Sequence, residues 1–246
     1  MLQTVWAAVG KSLAAATVLA ALALPAAASA QPSFQIPATA DQLILVSSPT
    51  YHPANYLATL RVYRRANPAS SWHLVFGPWQ AETGYSGLRD SRHEGDGSTP
   101  TGVYGIGATF YGTRPNPGAL HYAYHQLRCG DWWDSDQYTR RYNRFVHLRC
   151  GVTPRFATES DSVGLWTETL AYPYFAVIRF NVDPTIGGRH APGSAIFFHS
   201  WVYGPTAGCV ALPETRLLAV LRWLRPADDP VIEIGTHQEV ANSLTG

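Results

Sequence analysis

Short strand-like runs separated by turn residues make up most of the chain from Asp41 onward. Regular spacing of this kind is typical of an antiparallel, mainly β assembly and not of alternating β–α–β units. The run YFAVIRF is the strongest of them, because it combines β-branched and aromatic residues. Gly77-Pro78 is expected to end the third run, since Gly-Pro is a turn signal. The predicted strands of this kind are Leu43–Val46, Leu57–Tyr63, Trp72–Phe76, Val103–Ile106 and Tyr174–Phe180.

One segment near the carboxyl end has the pattern of an amphipathic helix. Pro213 suits a first helical position, apolar residues recur at helical spacing to about Leu224, and Pro226 ends the segment. A last strand is predicted at Val231–Ile234. The 246 residues contain no internal repeat or long linker. We therefore predict one domain over residues 41–235, preceded by a flexible lead-in at 31–40 and followed by a loose tail at 236–246.

The first thirty residues have the pattern of a secretion signal. Lys11 precedes an apolar run, Leu13–Leu24, that is too short to span a bilayer. Pro25 and the small residues Ala28-Ser29-Ala30 then form a cleavage pattern. We predict a signal peptide at 1–30 and a secreted, extracytoplasmic protein. The alternative is an uncleaved anchor helix.

The charge balance after this leader excludes several classes of partner. Lys11 is the only lysine, so the remaining chain has seventeen arginines, seventeen acidic residues and no formal net charge. Such a balance gives no basic surface for nucleic acid, and no later stretch is apolar enough for stable membrane insertion. His121 and His125 have a metal-like spacing, but no cysteine or carboxylate completes a ligand set, so no metal is expected.

Three cysteines in a chain bound for an oxidising compartment allow one disulfide and one free thiol. Cys129 and Cys150 are the expected pair, which leaves Cys209 free; the alternative is a structural disulfide that includes Cys209. The segment between Cys129 and Cys150 is rich in aromatic residues. Those side chains either form a lid over a substrate or pack the segment onto the body, and we favour packing.

The stretch Ala195–Leu212 (AIFFHSWVYGPTAGCVAL) contains the candidate catalytic residues. An apolar strand ends in His199 and Ser200, and a turn-prone loop then leads to Cys209. A thiol within reach of an imidazole is the minimal apparatus of a cysteine acyltransferase or peptidase. Gly208 has no Cβ, so the Gly208 and Cys209 amides can point at a developing oxyanion. The alternatives without a catalytic role are a cysteine that is a small buried apolar residue and a strand-end histidine that hydrogen-bonds to backbone groups.

Two motifs resemble the L,D-transpeptidase (YkuD-like) family. The first is the histidine, loop and Thr-Ala-Gly-Cys sequence of Ala195–Leu212, and the second is Gly95–Tyr104 (GDGSTPTGVY), which is similar to that family's Thr-Pro-Thr-Gly segment. We assign Glu94–Gly102 to architecture and not to catalysis, because the proline and glycine of Thr99–Gly102 fix a turn that leads into the next strand. The resemblance runs from about Asp41 to Gly235. It implies a mainly β sandwich or barrel of mixed strands, with one helix after the catalytic cysteine.

The resemblance also implies a peptidoglycan transferase that forms 3→3 cross-links during cell-wall biogenesis. Cys209 is then the nucleophile and His199 the base, while the hydroxyl or carbonyl of Ser200 orients the imidazole. Thr206 is expected to help position the substrate. No cofactor is expected, the partners are peptidoglycan stem peptides, and the protein is expected to be a monomer. Acylation by carbapenem-type β-lactams is a further implication.

The chain departs from the family pattern at two positions and in one length. Ala207 stands where many members have a second histidine, Ala211 stands where many have arginine or asparagine, and the loop from histidine to cysteine is short. These departures concern substrate positioning. The alternatives to a transpeptidase are an L,D-carboxypeptidase on the same stems and a non-catalytic wall-binding domain. A papain-like peptidase is excluded because its cysteine precedes its histidine.

Overall fold

The computed structural model describes residues 34–52, 55–158, 163–200 and 203–244, so the predicted signal peptide lies outside the described residues. The described chain is mainly β, with one α-helix, α1 (Glu214–Trp223). Its short 3-10 helices are Arg155–Thr158, Leu165–Thr167, Gly188–His190, Pro226–Asp228 and Val240–Asn242. Its strands are β1 (Gln42–Ser48), β2 (Leu57–Arg64), β3 (His73–Glu82), β4 (Leu88–Arg89), β5 (Thr99–Pro100), β6 (Gly102–Gly112), β7 (Ala123–Gln126), β8 (Asp131–Asp134), β9 (Arg144–His147), β10 (Val163–Gly164), β11 (Phe175–Ile178), β12 (Phe197–Ser200), β13 (Val210–Leu212) and β14 (Val231–Thr236).

Nine of the described strands form one sheet, which closes into a barrel. Their order is β11-β12-β13-β3-β2-β1-β14-β6-β7, and β6 also pairs with β11, so the ladder returns to its first strand. The long strand β6 allows this closure because its first part pairs with β14 and its later part with β11. Most pairings are antiparallel, but β1–β14, β6–β7 and β12–β13 are parallel. This mixed barrel confirms the fold that the resemblance implied.

The single described α-helix covers one face of β12 and β13. Pro213 caps α1, and the helix ends before Leu224, which confirms the predicted segment. Its buried residue Leu217 joins Phe198 and Leu212 in the largest core cluster. The opposite face of the two strands is therefore left free to build a site. No helix among the described residues is long and apolar enough to cross a membrane.

Strand β3 contradicts one prediction made from the sequence. It runs from His73 to Glu82, through the dipeptide that was expected to end it. Leu60 pairs with Trp79 and Val62 with Phe76, so Gly77-Pro78 lies opposite a single residue of β2. This arrangement is a β-bulge, and Gly77 suits it because its φ is +97°. The prediction was wrong because a bulge accommodates the dipeptide within the ladder.

A disulfide-closed hairpin packs beside the barrel. Strands β8 and β9 pair with each other, and β10 completes their three-stranded sheet. Cys129 and Cys150 are bonded with an S–S length of 2.06 Å, while Cys209 is free. Trp133 and Tyr142 of this hairpin are buried, so these aromatic side chains pack the hairpin onto the body.

Both ends of the described chain pack more tightly than the sequence indicated. A core cluster on the outer face of β1 and β14 includes Ala40 and Val240, with Phe34 and Leu244 packed against it. The Arg65 guanidinium also donates hydrogen bonds to three carbonyl oxygens of residues 37–40. The segments predicted as a flexible lead-in and a loose tail are therefore held on the barrel through residues 34–40 and 236–244.

Candidate active site

His199 lies on β12, and Cys209 directly precedes the neighbouring parallel strand β13. His199 of β12 pairs with Ala211 of β13, and Cys209 precedes Ala211 by two residues. Because side chains alternate along a strand, Cys209 points to the same side as His199. Both side chains line one cavity. The fold therefore brings the predicted nucleophile and base together, although they are ten positions apart in the sequence.

Ser200 acts on His199 through its backbone. The ring nitrogen Nδ1 of His199 lies 2.6 Å from the Ser200 carbonyl oxygen and 3.2 Å from that of Ala171. Since carbonyl oxygens only accept hydrogen bonds, Nδ1 carries the proton and Nε2 keeps the lone pair that can take one. The Ser200 side chain points to the opposite face of β12. Its hydroxyl is buried and has no hydrogen-bond partner among the described residues.

The Cys209 thiol is held by backbone groups. The Phe197 amide donates a hydrogen bond to Cys209 Sγ, and the thiol donates to the Ala195 carbonyl oxygen, each at 3.3 Å. These are the hydrogen bonds that the sulfur makes within the described part of the chain, so its proton points at Ala195 and not at His199. Transfer of that proton to the imidazole therefore requires the thiol to rotate.

Burial keeps both Cys209 and His199 neutral. It raises the pKa of the Cys209 thiol to about 11, although the Phe197 amide and the Arg92 charge act in the opposite direction. Burial also lowers the pKa of His199 to about 4, although hydrogen bonds from its ring to two backbone carbonyls act to raise it. At neutral pH the site therefore holds a thiol and a neutral imidazole, and not a preformed thiolate–imidazolium ion pair.

The turn before Cys209 is braced by Thr206. The Gly208 amide donates to Thr206 Oγ1 at 3.1 Å, and Thr206 Oγ1 donates to the Cys209 carbonyl oxygen at 2.7 Å. Gly208 has a φ of +135°, and a Cβ there would lie 2.7 Å from the Ser98 carbonyl oxygen, so glycine is required. Of the two amides predicted for an oxyanion hole, that of Gly208 already has an acceptor, which makes the Cys209 amide the better candidate.

The second sequence motif packs directly against this turn. Thr99 Oγ1 lies 3.5 Å from the Cys209 carbonyl oxygen. Three residues earlier, Asp96 accepts hydrogen bonds from the Ser98 amide at 2.9 Å and the Ser98 hydroxyl at 2.6 Å. The GDGSTPTG segment therefore packs against the backbone of Cys209.

The cavity in front of the thiol has a volume of about 370 Å³, a size typical of small-molecule sites. Its wall contains more polar side chains than the sequence motifs indicated. Besides His199, Thr206 and Cys209, the lining side chains include Arg92, Glu94, Ser135, Tyr172 and Ser194.

A family model for YkuD, described as the L,D-transpeptidase catalytic domain, matches residues 41–232. The chain belongs to this family. The match contains both motifs, the disulfide hairpin and every barrel strand except the end of β14. Comparison with curated proteins and comparison with solved structures gave no match.

Several wall residues of this L,D-transpeptidase domain were missed by reasoning from the sequence. Tyr172 meets the His199 ring edge-on, with ring centroids 5.4 Å apart, yet no motif surrounds it. Ser135 belongs to the turn of the disulfide hairpin, far from either motif in the sequence. Arg92 and Glu94 immediately precede the Gly-Asp-Gly of the second motif, and that proximity is the one signal that could have found them.

The positions at which the chain departs from the family pattern differ in their surroundings. Ala207 is exposed at the turn and lines the cavity, but its methyl group offers no polar atom to the thiol. Ala211 is buried beside His199, where it leaves no room for a long polar side chain without repacking. Neither position therefore supplies a polar side chain to the cavity.

Of the two histidines with metal-like spacing, His125 contacts an acid that it shares with His147. His125 Nε2 lies 2.8 Å from one oxygen of Asp131, and His147 Nδ1 lies 2.6 Å from the other. Burial acts to raise the pKa of Asp131, but hydrogen bonds from both histidines and from the Arg128 amide lower it overall. Within the described ranges, no group of three or more His, Cys, Asp or Glu side chains is arranged to hold a metal.

Proposed function

We propose that this protein is an extracytoplasmic peptidoglycan L,D-transpeptidase that forms 3→3 cross-links through a thioester on Cys209. The observation that carries the proposal is the placement of Cys209 and His199 on one face of neighbouring strands, at the wall of one cavity. Membership of the L,D-transpeptidase family supports the reaction class. The Cys129–Cys150 disulfide fits an oxidising compartment, so we retain residues 1–30 as a signal peptide and 41–235 as the catalytic domain.

The first half-reaction transfers an acyl group to sulfur. His199 Nε2 removes the thiol proton as Cys209 Sγ attacks the carbonyl carbon of the third stem residue. The Cys209 amide stabilises the oxyanion. The C–N bond to the terminal D-alanine then breaks, its nitrogen takes the proton from His199, and free D-alanine leaves a thioester behind.

The neutral state of the pair determines when the proton moves. With the pKa of the thiol near 11 and that of His199 near 4, proton transfer before attack is unfavourable. Transfer must therefore accompany formation of the C–S bond, when the substrate carbonyl accepts negative charge. This predicts a mechanism of general-base catalysis within the bound complex.

The second half-reaction determines whether the product is a cross-link. An amine of a neighbouring stem attacks the thioester carbonyl, gives its proton to His199 and expels the Cys209 thiolate, which takes that proton back. If water attacks in its place, the product is a tripeptide and the enzyme acts as a carboxypeptidase. Cys209 is only 7% exposed, so the site can exclude water from the intermediate.

Mass spectrometry of tetrapeptide-stem muropeptides incubated with residues 31–246 tests the proposal, with Cys209→Ala as the control. We expect dimers that lack one D-alanine, with the wild type only, and an acyl adduct on the Cys209 peptide. Tripeptide monomers alone would assign the carboxypeptidase reaction. Unchanged stems and no adduct with a folded wild type would contradict the proposal in favour of a non-catalytic wall-binding domain. A general thiol reagent at pH 6 does not make this distinction, because burial keeps the thiol protonated in either case.

A further inference from the structure

A buried cation with unused hydrogen-bonding capacity lies in the wall of the cavity. The Arg92 side chain is 2% exposed, and its Nε lies 3.5 Å from Asp96 Oδ1. Neither Nε nor Nη1 has a hydrogen-bond partner among the described residues. An unpaired donor on a buried charged group costs folding free energy, so such donors are normally satisfied. The unpaired donors of Arg92 are therefore suited to a bound anion.

Arg92 lies beside the turn that carries the nucleophile. Its Nη2 is 3.6 Å from the point where a Cβ on Gly208 would lie. A Cβ on Gly193 would come within 2.4 Å of Nη1, so the glycine there leaves space for the guanidinium. The guanidinium also lies over the Phe180 ring, at 5.4 Å from its centroid. These contacts fix the planar fork, and a fixed fork is what two-point binding of a carboxylate requires.

Glu94 is a second acid in the same wall, whereas the acid that forms an ion pair with Arg92 is Asp96. Glu94 lines the cavity and accepts a hydrogen bond from the Tyr142 hydroxyl. Within the described part of the chain, no ion pair joins Arg92 to Glu94. The Ser135 hydroxyl is buried and has no hydrogen-bond partner among the described residues, and Ser194 lines the wall beside Tyr142. One cavity thus presents a positive group, a negative group and hydroxyls to whatever occupies it.

We propose that Arg92 and Glu94 form a subsite for a zwitterionic amino-acid head group, in which one carbon carries a carboxylate and an ammonium group. Arg92 binds the carboxylate and Glu94 the ammonium, while the hydroxyls of Ser135 and Ser194 complete the polar wall. This proposal rests on the proposed function and specifies the class of substrate that the same site binds. The distal end of a meso-diaminopimelate side chain in the donor stem carries this head group. A free D-amino acid used as acyl acceptor carries it too, whereas a lysine side chain offers the ammonium alone.

The donor arm of the test compares kcat/KM for D-alanine release from three tetrapeptide stems. Their third residues are meso-diaminopimelate, the same residue with its distal carboxylate amidated, and lysine. We expect the wild type to prefer the free carboxylate by roughly 10- to 100-fold, the range for one charge-assisted hydrogen-bonded pair. Arg92→Gln should bring the three stems within a few-fold of each other, and Arg92→Lys should restore part of the preference.

Arg89→Gln is the matched control. Arg89 belongs to the same segment and also faces Asp96, at 3.9 Å, but its side chain is 45% exposed and it does not line the cavity. We expect this variant to keep the wild-type preference. Equal rates on all three stems with the wild type, or a preference that survives in Arg92→Gln, would overturn the subsite on the donor side.

The acceptor arm compares a free D-amino acid with its amide as the amine that resolves the thioester. A preference for the free acid that is lost in Arg92→Gln, without donor discrimination, would assign the subsite to the acceptor. Equal use of both acceptors together with equal donors would overturn the subsite while the transpeptidase function stands. If no stem is turned over, calorimetry of the diaminopimelate stem with Cys209→Ala decides. Binding that Arg92→Gln weakens at least tenfold, an order-of-magnitude expectation, would retain the subsite; no binding would overturn it.

Discussion

His199 is oriented by a carbonyl oxygen that any amino acid at position 200 would supply. The 2.6 Å contact from Nδ1 ends on the Ser200 backbone, and the Ser200 hydroxyl lies on the other face of the strand. The group that orients His199 is therefore supplied by the backbone of the strand and not by a side chain. Its contribution is to hold the tautomer in which Nε2 is basic.

Replacing Ser200 by alanine tests this assignment. We expect Ser200→Ala to keep kcat/KM within about threefold of the wild type, because the carbonyl remains and the lost hydroxyl has no partner among the described residues. His199→Ala should lose activity by roughly 10²-fold or more. Stem-peptide turnover measured with the two variants side by side provides the check. A loss in Ser200→Ala comparable to that in His199→Ala would show that the hydroxyl takes part.

At this scale, the sequence predicted the groups that lie within one motif and missed those that the fold assembles. Cys209 and His199 were accessible because a single strand–loop–strand segment carries both. Tyr172 and Ser135 enter the cavity from separate segments, and no local pattern marks a residue that becomes important only when distant strands pair. The sequence also left open whether the carbonyl or the hydroxyl of Ser200 contacts the imidazole, because residue spacing does not distinguish a backbone contact from a side-chain contact.

At the scale of a single element, β14 carries a buried acid. Glu233 is fully buried on this strand, where Ser243 donates a hydrogen bond to one carboxylate oxygen. The other oxygen has no partner among the described residues. Burial raises the pKa of Glu233 to about 7, although the Ser243 hydrogen bond acts to lower it. The strand therefore favours a protonated carboxyl group over a carboxylate.

Glu233→Gln should change how stability depends on pH. A folded-state pKa of about 7, above the ordinary value of 4.5, means that Glu233 stabilises the fold below pH 4.5 and that this contribution is lost as the pH rises through 7. The variant should therefore gain free energy of unfolding relative to wild type between pH 4 and pH 8, by about 3 kcal/mol. Urea titrations across this range provide the difference curve.

His199 acts in the opposite direction over much of the same range. Its pKa of about 4 lies below the ordinary 6.5, so its contribution is present above pH 6.5 and lost as the pH falls through 4. The His199 contribution is the same in the wild type and in Glu233→Gln, so it cancels when the two free energies of unfolding are subtracted. A flat difference curve for Glu233→Gln would contradict the prediction.

The elements themselves were predictable to the extent that their signals are local. The helix after Pro213 and the strand at Tyr174–Phe180 follow from apolar periodicity and β-branched content. The bulge at Gly77-Pro78 was not predictable, because it depends on a partner strand that has one residue fewer at that point. The double pairing of β6 was hidden for the same reason, since a strand's sequence does not state how many neighbours it has.

At the scale of the whole molecule, the disulfide closes the hairpin that packs beside the barrel. Cys129→Ser/Cys150→Ser should lower the free energy of unfolding by about 3 kcal/mol, because it frees a loop of about twenty residues in the unfolded chain. Urea unfolding of this variant beside the wild type measures the difference. An unchanged midpoint would show that packing of buried Trp133 holds the hairpin without the covalent bond.

The pairing of β12 with β13 has a consequence for how this site can evolve. His199 lies on β12 and Cys209 directly precedes β13, so the separation of their backbones depends on the pairing of these two strands more than on the loop that joins them. Residues can be gained or lost in that loop without moving the two reacting groups. The short loop of this chain is therefore compatible with an intact catalytic pair. A change in loop length would therefore alter which substrate enters the cavity, while the sheet continues to position Cys209 and His199.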